Sequence, residues 1–418
     1  TEFMHHEFTR LNGYRVMNDA FQDALVKKQG IVKAYWMTYP EAEIYTFSDL
    51  SDDEYTYLID DDDVTVIEHS VEVSIEIDEM GVEMEMPIHS VKLSRQKEKG
   101  ELCIESVPPE EFFVNSEARN LADAYIVAHR TDMRAGDLIA MGYDPEVVLN
   151  LDSFEDGTDM TEAEVQERRG YGLDASDEDM QDPSMLNVAV TEAYMRIDVD
   201  GTGIPILHKL TCGGTAYELL DYEPCDELPF AKFEVDPEPH TFYGRSLAEI
   251  VMDDQDAATS VLRSILDNVA MTNNPRLGIV EGAVNIDDVL NNEIGAIVRM
   301  RAPGSVQELT VPFTAGQTLG ALTYLDGLVE SKTGVSRASM GLDPDAMQST
   351  TKAAVQATVQ AAAGQVEVMV RNLADGMRDL FGIMLRLMSK NVDEEQMMRM
   401  NGSFIPVDPR VWDASFDV

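Results

Sequence analysis

The sequence predicts an α+β protein, and three observations carry that prediction. Apolar and polar residues alternate with a period of two in the first 240 residues, as in Val71, Val73, Ile75 and Ile77 against Glu72, Ser74 and Glu76. Between Ser246 and Lys390 the apolar residues instead recur at the spacing of one helix face, as in Leu247, Ile250, Val251, Ala258, Val261, Leu262, Ile265 and Val269. With 418 residues, 44% of them hydrophobic, the chain can bury sizeable cores and should divide into two or more domains.

Along the chain, His5-His6-Glu7 lacks the second half of a metal-binding HExxH or HxxxH pattern and reads as an ordinary terminal segment. Gly13–Gln29 is predicted helical, with Val16, Met17, Ala20, Phe21, Ala24 and Leu25 on one face and Gly30 as its stop. A strand is expected over Ile31–Trp36 and a short acidic helix over Asp49–Leu58. Asp60-Asp61-Asp62-Asp63 reads as a solvated loop, with cation binding as the alternative. The Val71–Ile77 run returns after Glu79-Met80-Gly81 as Val82, Met84 and Met86, a hairpin. Val91–Arg95 and Glu101–Ser106, flanking a turn at Glu98-Lys99-Gly100, extend the meander.

Tyr125–Arg130 is strand-like, and Met133–Gly142 reads as a short helix capped by Gly142. Acidic and small residues dominate Asp152–Asp182, which reads as a mobile linker with an exposed helix at Glu162–Arg169. Strands are expected at Val188–Val199, Ile204–Thr211 and Thr215–Tyr222. Asp198, Asp200 and Gly203 resemble the start of a calcium loop, but position twelve falls on Lys209 where that loop needs glutamate.

In the second half, Ser246 followed by Glu249 predicts a capping box, and Asn273-Asn274-Pro275 ends the helix it opens. A small α/β insert follows, with strand-like runs at Leu277–Val280, Ala296–Met300 and Val306–Val311, a short helix from Asn285 and a turn at Ala302-Pro303-Gly304. Thr314 with Gln317 predicts a second capping box for a helix ending at Lys332 before Gly334. After a loop, one helix is expected from about Lys352 to Lys390, a length on the order of 58 Å. Its first half is rich in alanine and its second in bulky residues: Leu373, Met377, Leu380, Phe381, Met384 and Leu387. A bend is predicted near Gly364, where glycine weakens the helix; the alternative is that Gly364 only permits close helix contact.

Catalysis has no local signature. The sequence holds no GxxxxGK[ST], GxSxG, HExxH or CxxC, and pairs such as Asp253/Asp254, Asp287/Asp288 and Asp343/Asp345 are expected by chance in so acidic a chain. The expectation is therefore no enzyme, no cofactor and no metal, an enzyme of unrecognised class being one alternative. Cys103, Cys212 and Cys225 form no close pair and fit a reduced cytosolic protein. No signal peptide or membrane span is visible, and because residue 1 is not Met the true N-terminus need not be present.

The net charge is −47. Residues 1–240 hold 17 basic and 55 acidic residues, or −38, which leaves −9 for residues 241–418. Such a surface argues against ordinary high-affinity DNA binding. It suits low-friction passage of DNA through a ring of subunits, or serves only solubility or salt adaptation.

Helix, compact insert, helix, loop and very long helix, in that order, resemble the portal proteins of tailed bacteriophages, in their short-tailed, podovirus-like branch. Pro237-Glu238-Pro239-His240-Thr241-Phe242-Tyr243-Gly244-Arg245-Ser246-Leu247 and Asn273-Asn274-Pro275 are similar to the start and end of that family's stem. Val107-Pro108-Pro109-Glu110-Glu111-Phe112, and Val407-Asp408-Pro409-Arg410 with Trp412, add to the likeness. The resemblance runs over nearly the whole chain and rests on order and coverage, since no single motif is diagnostic.

What the resemblance implies is a wing over 1–240, a first stem helix over 241–274 and a clip over 275–313. A second stem helix (314–335), a tunnel loop (336–351), a long kinked helix (352–390) and a return to the wing (391–418) follow, any crown lying outside this chain. It further implies a dodecameric ring at one capsid vertex of the virion, assembled in the host cytoplasm with no membrane partner, that conducts double-stranded DNA during packaging and ejection. Partners would be the large terminase subunit, a tail adaptor, capsid and scaffolding proteins, and DNA in transient, non-specific contact. Asp343, Asp345, Met347, Gln348, Ser349 and Lys352 would face DNA, or belong to an ordinary connecting loop. Asp287, Asp288, Glu293, Arg299 and Arg301 would serve partner docking or subunit ion pairs, or form only a solvated rim. A non-phage acidic oligomeric scaffold is the other alternative.

Overall fold

The computed structural model describes residues 2–60, 64–77, 83–152, 182–199, 201–291, 293, 295–335, 352–392, 396–400 and 403–408. Helices and antiparallel strands are segregated along this chain, the α+β arrangement that the sequence predicts. Two helices, α1 (Glu2–Arg10) and α2 (Gly13–Lys27), precede the sheets. The terminal segment is therefore helical, because Phe3, Met4 and Phe8 supply an apolar side that is buried in the core.

The first sheet has strand order β2-β3-β1-β9. Strand β1 (Gly30–Leu50) pairs antiparallel with β3 (Glu83–Val107), from Ile31 opposite Val107 to Phe47 opposite Val91. The turn expected at Glu98-Lys99-Gly100 does not form: these residues continue the strand opposite Pro40, Tyr39 and Thr38. Glycine there answers a packing need, since a Cβ on Gly100 would stand 2.2 Å from the Trp36 ring nitrogen. Strand β2 (Val64–Ile77) pairs with β3 as the predicted hairpin, and helix α3 (Asp52–Ile59) crosses from β1 to it. A complete capping box opens α3, where Ser51 and Glu54 bond reciprocally.

The second sheet is a five-stranded meander: β4 (Phe112–Val114), β5 (Ile126–Arg134), β6 (Asn187–Ile197), β7 (Ile206–Gly213) and β8 (Glu218–Pro224). Short helices α4 (Ala135–Ala140) and α5 (Pro145–Val148) interrupt it, and Leu138 and Val148 pack there on Val188 and Val190. The Asp60 run beyond its first residue, the Asp152–Asp182 linker between its ends, and Asp200 lie outside the described residues. Asp198 accepts hydrogen bonds from the backbone of Thr202 and Gly203, so its carboxylate shapes the β6–β7 turn.

Strand β9 (Phe230–Phe233) returns to the first sheet beside β1. Helix α6 (Leu247–Asn273), strand β10 (Arg276–Ile279), helix α7 (Ile286–Leu290), strand β11 (Val306–Leu309) and helix α8 (Ala315–Thr333) follow. The 40-residue helix α9 (Lys352–Asn391) comes next, and the hairpin β12 (Gln396–Met400) with β13 (Ser403–Val407) ends the described chain.

Besides the small cluster around Leu138 and Val148, two larger cores hold the described parts. The bulky second half of α9 packs with α1 and α2 on the first sheet, where Leu380 and Met384 are fully buried beside Val32, Phe233 and Ala20. Burial of each such side chain is worth about 1.5–3 kcal/mol. Between the two sheets, Ile31, Val107 and Phe230 meet Phe112, Val127 and Tyr194, and Phe242 closes the cluster.

A charged group also lies between the sheets. Lys33 of β1 is 5% exposed and donates to Glu192 of β6, while Glu105 of β3 stands 3.6 Å away. Lys33 Nζ also approaches His129 Nδ1 at 3.3 Å. An ammonium can only donate, so this His129 nitrogen accepts, and the ring proton sits on Nε2, which faces Glu111 at 3.5 Å. Burial pushes the Glu192 carboxyl up, but the Lys33 charge and hydrogen bond prevail and hold it below the usual range. The Tyr35 phenol, beneath the same ammonium, is pushed up chiefly by burial.

Candidate functional site

The helix pair α6 and α8 and the insert between them are built from local signals and a few side-chain clamps. Ser246 caps α6 by accepting the Glu249 N–H at 3.0 Å. The reciprocal half of the predicted box is absent, because the Glu249 carboxylate instead takes Lys28 Nζ at 3.1 Å and ties the helix base to the end of α2. At the start of α8, Thr314 has helical dihedrals and no side-chain cap, so that second box is also absent. Its backbone N–H goes to Asn268 Oδ1 of α6, while Asn268 Nδ2 donates to Pro312 O. Asn268 therefore closes the base of the insert, a role no local pattern signals. Gly334, at φ 72°, ends α8 as predicted.

Asp254 is the buried residue of α6, and Lys332 in the last turn of α8 meets it at 2.6 Å. Elsewhere these helices leave apolar side chains in solvent: Met252, Leu262, Leu266 and Met271 on α6, and Leu319 and Tyr324 on α8. Leu262 and Leu266, one helical turn apart, are 46% and 60% exposed.

In the insert, β10 and β11 pair from Arg276 opposite Leu309 to Ile279 opposite Val306. Of the run Ala296–Met300, predicted as a strand, only Met300 makes a bridge, to Val284. The reason is a side chain: Asp288 accepts from the Arg299 backbone at 3.2 Å and from its guanidinium at 2.7 and 2.9 Å, which takes a donor that a ladder would use. The Arg299 hydrogen bond holds the Asp288 carboxyl down at about 2. A depressed carboxylate stabilises above its unfolded value and loses that contribution as the pH falls through its folded value. The insert should accordingly keep this tie down to about pH 2, whereas Asp288→Asn should raise amide exchange over residues 285–300 at neutral pH. Unchanged exchange in that variant would remove the tie from the insert's stability.

The candidate residues are thus distributed unevenly. Asp288 and Arg299 are brought together within one chain, while Asp287, Glu293 and Arg301 are exposed around them. Asp343, Asp345, Met347, Gln348 and Ser349 lie outside the described residues, and Lys352 is the first residue of α9. Gly364 is exposed within α9, with nothing within 4 Å of the position a Cβ would take. No described helix is long and apolar enough to cross a membrane.

No curated protein matches the chain. The sequence model of the family described as Phage SU10 portal protein matches residues 1–418, the whole chain. Portal proteins are structural, non-enzymatic components of the phage virion, associated with its capsid and built as homo-oligomers. A full-length match, on a chain whose helix pair brackets a compact insert and leads to a very long helix, shows that this protein belongs to the phage portal protein family.

Proposed function

We propose that copies of this chain close into a dodecameric ring at one capsid vertex and conduct double-stranded DNA during packaging and ejection. The observation that carries this reading is the pair α6 and α8, which bury little against each other and expose Met252, Leu262, Leu266, Leu319 and Tyr324. Neighbouring copies would cover these faces, as exposed apolar patches of this extent mark interaction surfaces. In this reading 1–240 with 391–418 is the wing, 241–274 and 314–335 are the stem, 275–313 the clip and 336–351 the tunnel loop.

The tunnel loop would meet DNA through Met347, Gln348, Ser349 and Lys352, with Asp343 and Asp345 repelling phosphates so that contact stays transient. The helix over 352–390 would bend near Gly364 as it passes from the channel wall to the wing. The clip would protrude beyond the stem and dock first the large terminase subunit and later the tail adaptor. Since Asp288 and Arg299 hold each other, Asp287, Glu293 and Arg301 are the charges free for those contacts or for the neighbouring subunit. Capsid and scaffolding proteins would meet the wing during assembly in the host cytoplasm.

Deleting Asp345–Gln348 tests the channel assignment. Rings of unchanged mass are expected, with DNA packaging or retention impaired; rings that package and retain DNA normally would overturn the role of this loop.

A further inference from the structure

The five-stranded meander has one side that neither the cores nor the stem contact uses. Its side chains alternate between two sides, and Val127, Val188, Val190 and Tyr194 point to the side where the first sheet and helices α4 and α5 pack. The opposite side carries a row across all five strands: Phe113, Ala128, Ala193, Leu210 and Tyr222 stand in register from β4 to β8. Arg130, Thr191, Cys212 and Leu219 form the row on one flank, and Ile126, Met195, His208 and Pro224 the row on the other. Among the described residues no other element is packed on this side, and Phe113, Leu219 and Tyr222 are exposed. Four strand spacings make the row about 19 Å wide, a flat surface unlike the concave pocket that a small ligand takes.

The free edge of this sheet, by contrast, is closed to strand addition. The Asp221 carboxylate accepts the Tyr222 N–H at 2.8 Å, a register shift kinks β8 between Leu219 and Asp221, and Pro224 has no N–H to offer. A partner therefore meets side chains on the flat side and not backbone at the edge.

Charge selects the partner. None of the positions in the three rows is a carboxylate, although 78 of the 418 residues are acidic, and Arg130 is their one permanently charged residue. The carboxylates of β8, Glu218, Asp221 and Glu223, stand opposite Gly213, Thr211 and Lys209 on the other side. A chain of net charge −47 repels its own copies wherever carboxylates face each other, so a side without them is where another acidic copy can approach. Portal proteins are homo-oligomers, and in a closed ring each copy offers two different surfaces to its neighbours.

We propose that this apolar, carboxylate-free side of the meander is a subunit contact, seated against the acidic residues 1–240 of the next copy. It is a second interface besides the stem. The proposal rests on the ring reading and not on DNA passage.

Sedimentation of the full chain over a dilution series tests it. The combined variant Phe113→Asp, Leu219→Asp and Tyr222→Asp should keep its circular dichroism, since these side chains already reach solvent, and should dissociate at a concentration at least a hundredfold higher than the wild type. Lysine at the same three positions should cost at least tenfold less than aspartate, because the neighbour it faces is acidic. A benzophenone amino acid at Tyr222 gives a second measurement, with covalent dimers of the chain as the expected product. Aspartate variants that dissociate as the wild type does, an equal loss with lysine and aspartate, or cross-links confined to one chain would each overturn the proposal while leaving the ring reading intact. A wild-type chain that stays monomeric would overturn both.

Discussion

Replacing Lys33 with alanine lowers the stability of the folded chain by about 3–5 kcal/mol, the cost of breaking an ion pair whose ammonium is buried between the sheets. The effect is large because Lys33 is enclosed and Glu192, on the other sheet, is held in its charged form by it. The His129 acceptor nitrogen also loses its donor. Removing both charges with Lys33→Met and Glu192→Gln should recover much of the loss, since a buried pair replaced by uncharged groups is often nearly neutral. Denaturant midpoints of the single and double variants measure this. A cost below about 1 kcal/mol for Lys33→Ala would show that the two sheets are held by their apolar cluster alone.

Changing Leu262 and Leu266 together to aspartate is expected to abolish ring assembly while leaving each chain folded. Both side chains already reach solvent in the single chain, so the change removes little buried area within it. Between copies it would place two carboxylates in each subunit contact against apolar surface, where uncompensated charge costs several kcal/mol. Circular dichroism and solution mass separate the two effects: native helix content with a monomer mass is the expected result. Rings of wild-type mass would take this face of α6 out of the subunit contact.

Much of this architecture was legible in local sequence. Ser246 and Gly334 set helix ends at the predicted residues because caps act within one turn. The bulky half of α9 announced its burial through Leu380 and Met384. Gly100 misled, because a glycine needed for the passage of the Trp36 ring looks the same in sequence as one needed for a turn. Thr314 and Ala296–Met300 misled for a different reason: Asn268 and Asp288 supply hydrogen-bond partners from other elements, so local capping and ladder rules do not apply. Lys33 gave no signal at all, since its partners Glu105, His129 and Glu192 come from three other strands. For the site, Asp288 and Arg299 were legible as charged insert residues, but not as partners of each other. The same holds for Gly376, whose Cβ would stand 2.5 Å from the Lys232 carbonyl oxygen; only the docking of α9 on β9 explains why glycine is there.

The central claim is that this chain works as a ring with a channel. Class averages of the purified protein by electron microscopy test it most directly. The account predicts closed end-on views with twelve-fold symmetry and a central opening wide enough for a DNA duplex. Monomers, or closed particles without an axial opening, at concentrations where the protein is folded would contradict it.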